Sequence, residues 1–191
     1  MHSSVKNTGI KRLALLGIFT AGALLSFLLE SLIPPLFIPG AKFGISNVFT
    51  LFCMVVLSPA EAAVLLIARI FLGNLIVGNL FATVFSLPAG LVALLVGALL
   101  LALIPKISLT AVSVAMAVMH NAVQNVVFCL ISGSFAAAIY LPYLLLLGVI
   151  SGFFVGCLVY LLVHKIPLNV YSTFLNEKKA VNGGNFENSE R

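Results

Sequence analysis

The chain has 191 residues, of which 62% are hydrophobic and only 8% charged, and its formal net charge is +5. Soluble domains average about 25% charged residues, so this composition excludes a water-soluble domain and indicates an integral membrane protein. No aspartate and no GxxxxGK[ST] motif occur, which excludes an aspartate-rich magnesium centre and a phosphate-binding loop for ATP. We therefore expect no enzyme, no metal, no cofactor and no nucleic-acid partner.

The hydrophobic stretches predict six helices that form one all-α transmembrane bundle within residues 1–165. Proline, glycine or charge bounds each stretch, at residues 12–33, 44–58, 60–79, 82–104, 107–132 and 136–163. Five of them reach the length of about 20 residues that a bilayer span needs. The second is short, and we expect it to be little tilted or partly buried among its neighbours. Residues 166–191 should form an interfacial segment and a polar cytoplasmic tail.

Lysine and arginine are distributed unevenly between the two sides of such a bundle. One side carries eight of them: Lys6, Lys11, Arg12, Lys106, Lys165, Lys178, Lys179 and Arg191. The opposite side carries only Lys42. Because basic residues are retained in the cytoplasm, both termini are predicted to be cytoplasmic.

The stretch MHNAVQN in helix five places four polar residues inside an apolar run. They are spaced one helical turn apart in two pairs, which puts them on adjoining faces of the helix. We call this group the polar wedge: His120, Asn121, Gln124 and Asn125. In the predicted orientation the polar wedge lies in the outer half of the membrane.

Other polar residues are predicted at the same depth. Helix three places Arg69 about 12 Å from its cytoplasmic end, and Asn74 lies farther out. Glu30 lies near the outer end of helix one, Lys42 in the following loop and Asn47 at the outer start of helix two. We interpret these residues, with the polar wedge, as a candidate substrate-binding site.

An alternative is that these polar groups only join helices, since such hydrogen bonds contribute roughly 0.6 to 2 kcal/mol each. For Arg69 a functional role is favoured, because a charge near the bilayer centre costs at least about 2.5 kcal/mol. Its guanidinium requires either Glu30 or an anionic ligand as a partner. His120 is the one residue of the polar wedge that can titrate near neutral pH, so proton-linked transport is also open.

Helix one carries a face of small residues at three- and four-residue spacing: Ala14, Gly17 and Ala21. Such a face permits close helix contact. It could serve packing inside the bundle or the docking of another membrane protein.

Four segments together resemble the family called Gx transporters, whose members are often labelled heptaprenyl diphosphate synthase component I. The segments are LLESLIPP, PGAKFGISN, ARIFLGNLIVG and MHNAVQN. The resemblance covers about residues 12–165. Asn74 stands where the family pattern leads us to expect a smaller residue.

That family is similar to the S components of energy-coupling-factor transporters, and the resemblance implies a fold and a function. The implied protein is a six-helix subunit of the bacterial cell membrane that binds one small molecule near the outer surface. Small residues of its first helix, here Ala14, Gly17 and Ala21, would dock onto a transmembrane coupling subunit driven by two ATPases. The loop that holds Lys42 would help to close the site.

We therefore expect a substrate-binding membrane subunit that captures a small anionic or amphipathic molecule from outside. The alternative is a non-catalytic accessory subunit for isoprenoid or quinone synthesis. A third possibility is a purely structural partner in an electron-transfer assembly.

Overall fold

The computed structural model describes residues 2–32, 44–104 and 106–165, and every regular element in this part of the chain is helical. The elements are α1 (His2–Ser31), α2 (Ser46–Val56), α3 (Pro59–Val77), α4 (Phe81–Leu103), α5 (Leu109–Ser132) and α6 (Leu141–Lys165). A short 3-10 helix, Phe135–Tyr140, precedes α6. Lys42 and residues 166–191 lie outside the described residues.

The predicted all-α bundle of six helices is confirmed. Five of the described helical segments are long and apolar enough to cross a membrane, with the 3-10 helix and α6 counted as one segment. The first predicted boundary was wrong by ten residues, because α1 already begins at His2. Hydropathy marks where a helix can enter the bilayer, and a helix can start well before that point.

The start of the last helix also differs from the prediction. Ser134 caps the 3-10 helix by accepting a hydrogen bond from the backbone N–H of Ala136 at 3.3 Å. Regular α-helix begins only at Leu141, with Pro142 in its first turn. Proline suits that place because the first-turn N–H groups have no acceptor within the helix.

Among the described helices, the most extensive contact joins α5 to α6 and includes three glycines of α6. A Cβ atom added at Gly152 would lie 2.7 Å from the Cα atom of Val114, and one added at Gly156 would lie 2.6 Å from the Cα atom of Thr110. At Gly148 an added Cβ atom would lie 3.2 Å from a backbone oxygen of α5. The absence of side chains therefore lets the two helix backbones touch, as small residues do in membrane bundles.

A polar contact joins α1 to the start of α3. Ser58 caps α3 by accepting a hydrogen bond from the N–H of Glu61 at 3.2 Å. The Glu61 carboxylate in turn accepts hydrogen bonds from the Ser58 hydroxyl at 2.7 Å and from Arg12 at 3.0 Å. Arg12 is 43% exposed, so this ion pair contributes at most about 1 kcal/mol and mainly fixes the register of α1 against α3.

The short helix α2 reaches only part of the way across the bundle. Its 11 residues span about 16 Å, roughly half of the 30 Å hydrocarbon layer. A tight turn joins its last residue to α3, so its first turn lies level with Arg69, ten residues into α3. The expectation of a partly buried helix holds, since seven of its residues are buried. Helix α2 therefore begins inside the bundle, at the level of Arg69.

Candidate functional site

A cavity of about 580 Å³ opens at the end of the bundle where α1, α3 and α5 end and α2, α4 and α6 begin. This volume lies within the range of about 300 to 1,000 Å³ that small-molecule sites occupy. On α3 and the turn that follows it, the residues that line the cavity extend from Arg69 to Asn79, two residues beyond the end of α3. Ten residues of helical rise correspond to a depth of about 15 Å. The cavity is thus a deep pocket that starts at the level of the first turn of α2.

Every described residue of the candidate site lines this cavity. The structure brings together residues from four helices: Glu30, Asn47, Arg69, Asn74, His120, Asn121, Gln124 and Asn125. Lys42, the ninth candidate, is outside the described residues. Residues that the sequence predicts at one depth therefore also lie close together in space.

The floor of the cavity contains two buried charges that both contact the start of α2. Arg69 is 4% exposed and donates a hydrogen bond from Nη1 to the hydroxyl of Ser46. Glu30 is 5% exposed, and its Oε1 accepts a hydrogen bond from the backbone N–H of Ile45 at 3.0 Å. The Glu30 carboxylate compensates the positive end of the α2 dipole, and the guanidinium of Arg69 is the cation of the floor that can bind an anionic group.

Three asparagines of the cavity wall use their amide groups to join elements of the fold. Asn74 donates to the hydroxyl of Thr83 on α4 at 3.0 Å. In the polar wedge, Asn121 donates to the carbonyl of Leu144 at 2.7 Å, and Asn125 donates to the carbonyl of Ala137 at 3.0 Å. These amide nitrogens therefore have the alternative role considered above, which is to join elements of the bundle by hydrogen bonds. The same hydrogen bonds fix the shape of the pocket.

Three further residues of the candidate site, His120, Gln124 and Asn47, also line the cavity. His120 and Gln124 lie one helical turn apart on α5. Within the described part of the chain, the side chain of Asn47 has no hydrogen-bond partner. Together with Arg69, these residues can offer both donors and acceptors to a bound molecule.

Aromatic side chains form part of the wall, and the sequence reasoning missed them. They are Phe27, Phe85, Phe128 and Tyr140. The rings of Phe85 and Phe128 pack edge to face with centroids 5.8 Å apart. Ser46 was also missed as the partner of Arg69. An aromatic residue in a membrane helix has the same sequence signature whether it faces lipid or a pocket, so only the structure could identify this wall.

The small-residue face of α1 points away from the bundle. Ala14, Gly17 and Ala21 are exposed, and a Cβ atom added at Gly17 would meet no atom within 4 Å. Contact with the bundle is made instead by Gly22, where an added Cβ atom would lie 2.6 Å from the ring of Phe49, and by the fully buried Ala23. The sequence left two roles for this face, packing inside the bundle and docking of another protein. Within the described residues, this face does not pack inside the bundle.

Comparison of the chain with known proteins identifies one family. No curated protein and no solved structure matches the chain. A family model described as heptaprenyl diphosphate synthase component I matches residues 19–162, which include the ends of α1, α3 and α5 that border the cavity. That match covers about three quarters of the sequence. The chain is therefore a membrane protein that belongs to the heptaprenyl diphosphate synthase component I family.

Proposed function

We propose that the protein is a substrate-binding membrane subunit that captures a small amphipathic molecule with an anionic group from the outer side of a bacterial cell membrane. The observation that carries this proposal is the cavity, in which a buried guanidinium and the polar wedge meet aromatic side chains. An anionic group would bind Arg69. His120, Gln124 and Asn47 would bind a polar head or ring edge, and the aromatic wall would hold an apolar part.

The orientation follows from the positive-inside rule, which assigns both termini to the cytoplasm and the mouth of the cavity to the opposite side. The pocket then faces the outside medium. Nothing in the sequence binds ATP through a phosphate loop. Release toward the cytoplasm would therefore depend on a separate coupling subunit with its ATPases. The exposed face of Ala14, Gly17 and Ala21 is the surface we assign to that partner.

A second candidate function is favoured by the family description itself. As a component of heptaprenyl diphosphate synthase, the protein would be a non-catalytic accessory subunit that binds a polyprenyl or quinone intermediate and works with a partner synthase component. A catalytic role is disfavoured because prenyl transfer relies on metal-binding carboxylates and the chain has no aspartate. The two candidate functions differ in the molecule that the cavity holds.

Capture of molecules by the purified protein tests the proposal. Protein in lipid nanodiscs is incubated with a pool of flavins, thiamine-like vitamins and isoprenoid diphosphates, washed, and examined by mass spectrometry. We expect Arg69→Gln and His120→Ala to reduce capture of the retained molecule at least about tenfold. Loss of a hydrogen bond to a charged group costs about 1.5 to 3 kcal/mol, and 1.4 kcal/mol corresponds to a factor of ten in affinity.

Matched controls are available at the other end of the bundle. Arg12→Gln removes the guanidinium that pairs with Glu61, and His164→Ala removes a ring that contacts the carbonyl of Tyr160. Both controls should capture like wild type. If folded Arg69→Gln and His120→Ala also capture like wild type, the ligand does not bind in this cavity. Retention of a long-chain polyprenyl lipid would favour the accessory function instead.

A further inference from the structure

The charged residues that line the described part of the cavity are one cation and one anion. Arg69 and Glu30 are both more than nine-tenths buried. They do not form an ion pair, since the salt bridge found among the described residues is the one between Arg12 and Glu61. Each instead contacts the start of α2, at the neighbouring residues Ser46 and Ile45. The two opposite charges therefore lie near each other in the floor without direct contact.

Both charged groups also keep unused hydrogen-bonding atoms. Within residues 2–32, 44–104 and 106–165, Oε2 of Glu30 and Nε of Arg69 are buried and have no hydrogen-bond partner. A buried charge with incomplete compensation is costly, so such groups are usually paired or bind a ligand. The capping bond to Ile45 explains one carboxylate oxygen of Glu30 and leaves the other unexplained.

We propose that the cavity binds a zwitterionic molecule, with its anionic group at Arg69, its cationic amine at Glu30 and an apolar ring against the aromatic wall. This inference rests on the proposed function and narrows the class of its ligand. The formal charges of the described lining residues sum to zero, so a zwitterion compensates both charges and leaves no net charge in the pocket. A purely anionic ligand would compensate Arg69 and repel Glu30.

The absence of tryptophan from the chain allows a direct test. Indole fluorescence, excited where tyrosine absorbs little, then reports bound probe without a protein background. Three probes share the indole ring and differ in charge: L-tryptophan is a zwitterion, indole-3-propionate an anion and tryptamine a cation. We expect wild-type protein in nanodiscs to bind L-tryptophan at least about tenfold more tightly than either of the other two.

Variants distinguish a ligand contact from a merely structural role of Glu30. In Glu30→Gln, L-tryptophan should lose its advantage over indole-3-propionate, whose own affinity stays the same or rises. Glu61→Gln, which removes a carboxylate remote from the cavity, should preserve the wild-type ranking. An equal loss of affinity for both probes in Glu30→Gln would identify Glu30 as only a helix cap and overturn the proposal.

Failure of this inference can be separated from failure of the proposed function. If indole-3-propionate binds as tightly as L-tryptophan and Arg69→Gln abolishes both, the zwitterion is wrong and anion capture stands. If none of the three probes binds wild-type protein at millimolar concentration, the zwitterion is also wrong. The proposed function is wrong as well only if folded Arg69→Gln and His120→Ala both leave capture from the metabolite pool unchanged.

Discussion

The glycine contact between α5 and α6 permits a quantitative prediction for Gly152→Ala. The added methyl carbon would lie 2.7 Å from the Cα atom of Val114, whereas carbon atoms pack best at about 3.5 to 4.0 Å. Because the obstructing atom belongs to the backbone, the helices must separate locally by about 1 Å. Overpacking of this kind costs about 1 to 3 kcal/mol. We expect that loss in the free energy of unfolding, after correction for helix propensity.

Gly17→Ala supplies the correction, because the same substitution on α1 meets no atom within 4 Å. Both variants gain the same intrinsic preference of alanine for the helix, about 1 kcal/mol, so their difference isolates the packing cost. Unfolding in mixed micelles with increasing dodecyl sulfate measures the two free energies. If the two variants unfold with equal free energies, the close contact of α5 and α6 at Gly152 is wrong.

Two further predictions concern orientation and docking. In a background without the native cysteines, Asn79→Cys should react with a membrane-impermeant maleimide added outside intact cells. Lys106→Cys should react only after the membrane is opened. The reverse labelling pattern would contradict the proposed orientation. Ala21→Trp should abolish copurification with a coupling subunit while the bundle stays folded, because Ala21 is exposed on α1. Leu29→Trp, also on the exposed surface of α1, serves as the control. Unchanged association of the Ala21 variant would contradict the docking assignment.

The sequence was sufficient to place the candidate site along the bundle axis. Helical rise and the direction of each span give the depth of a residue, and this is why Glu30, Arg69 and His120 were expected at one level. All three line the same cavity. Their burial could be expected as well, because polar side chains in hydrocarbon face the bundle interior.

The contacts of individual groups could not be obtained in this way. The carbonyl acceptors of Asn121 and Asn125 belong to Leu144 and Ala137, and a backbone carbonyl has no residue-specific signature in a sequence. The start of α6 was misjudged for a related reason, since the 3-10 helix before it has the same apolar composition as a membrane helix. Direction around a helix axis depends on tertiary packing, whereas depth depends mainly on counting residues.

The shortness of α2 has a consequence for how the protein is made. An apolar segment of 11 residues is too short to be inserted across a bilayer by itself. Its buried side chains pack in the same core as residues of α1 and α3, among them Ala23 and Leu65. During synthesis, α2 can therefore pack in its final position only after α3 has been made. The floor of the cavity, where Arg69 of α3 contacts Ser46 of α2, therefore cannot form in a nascent chain that stops before α3.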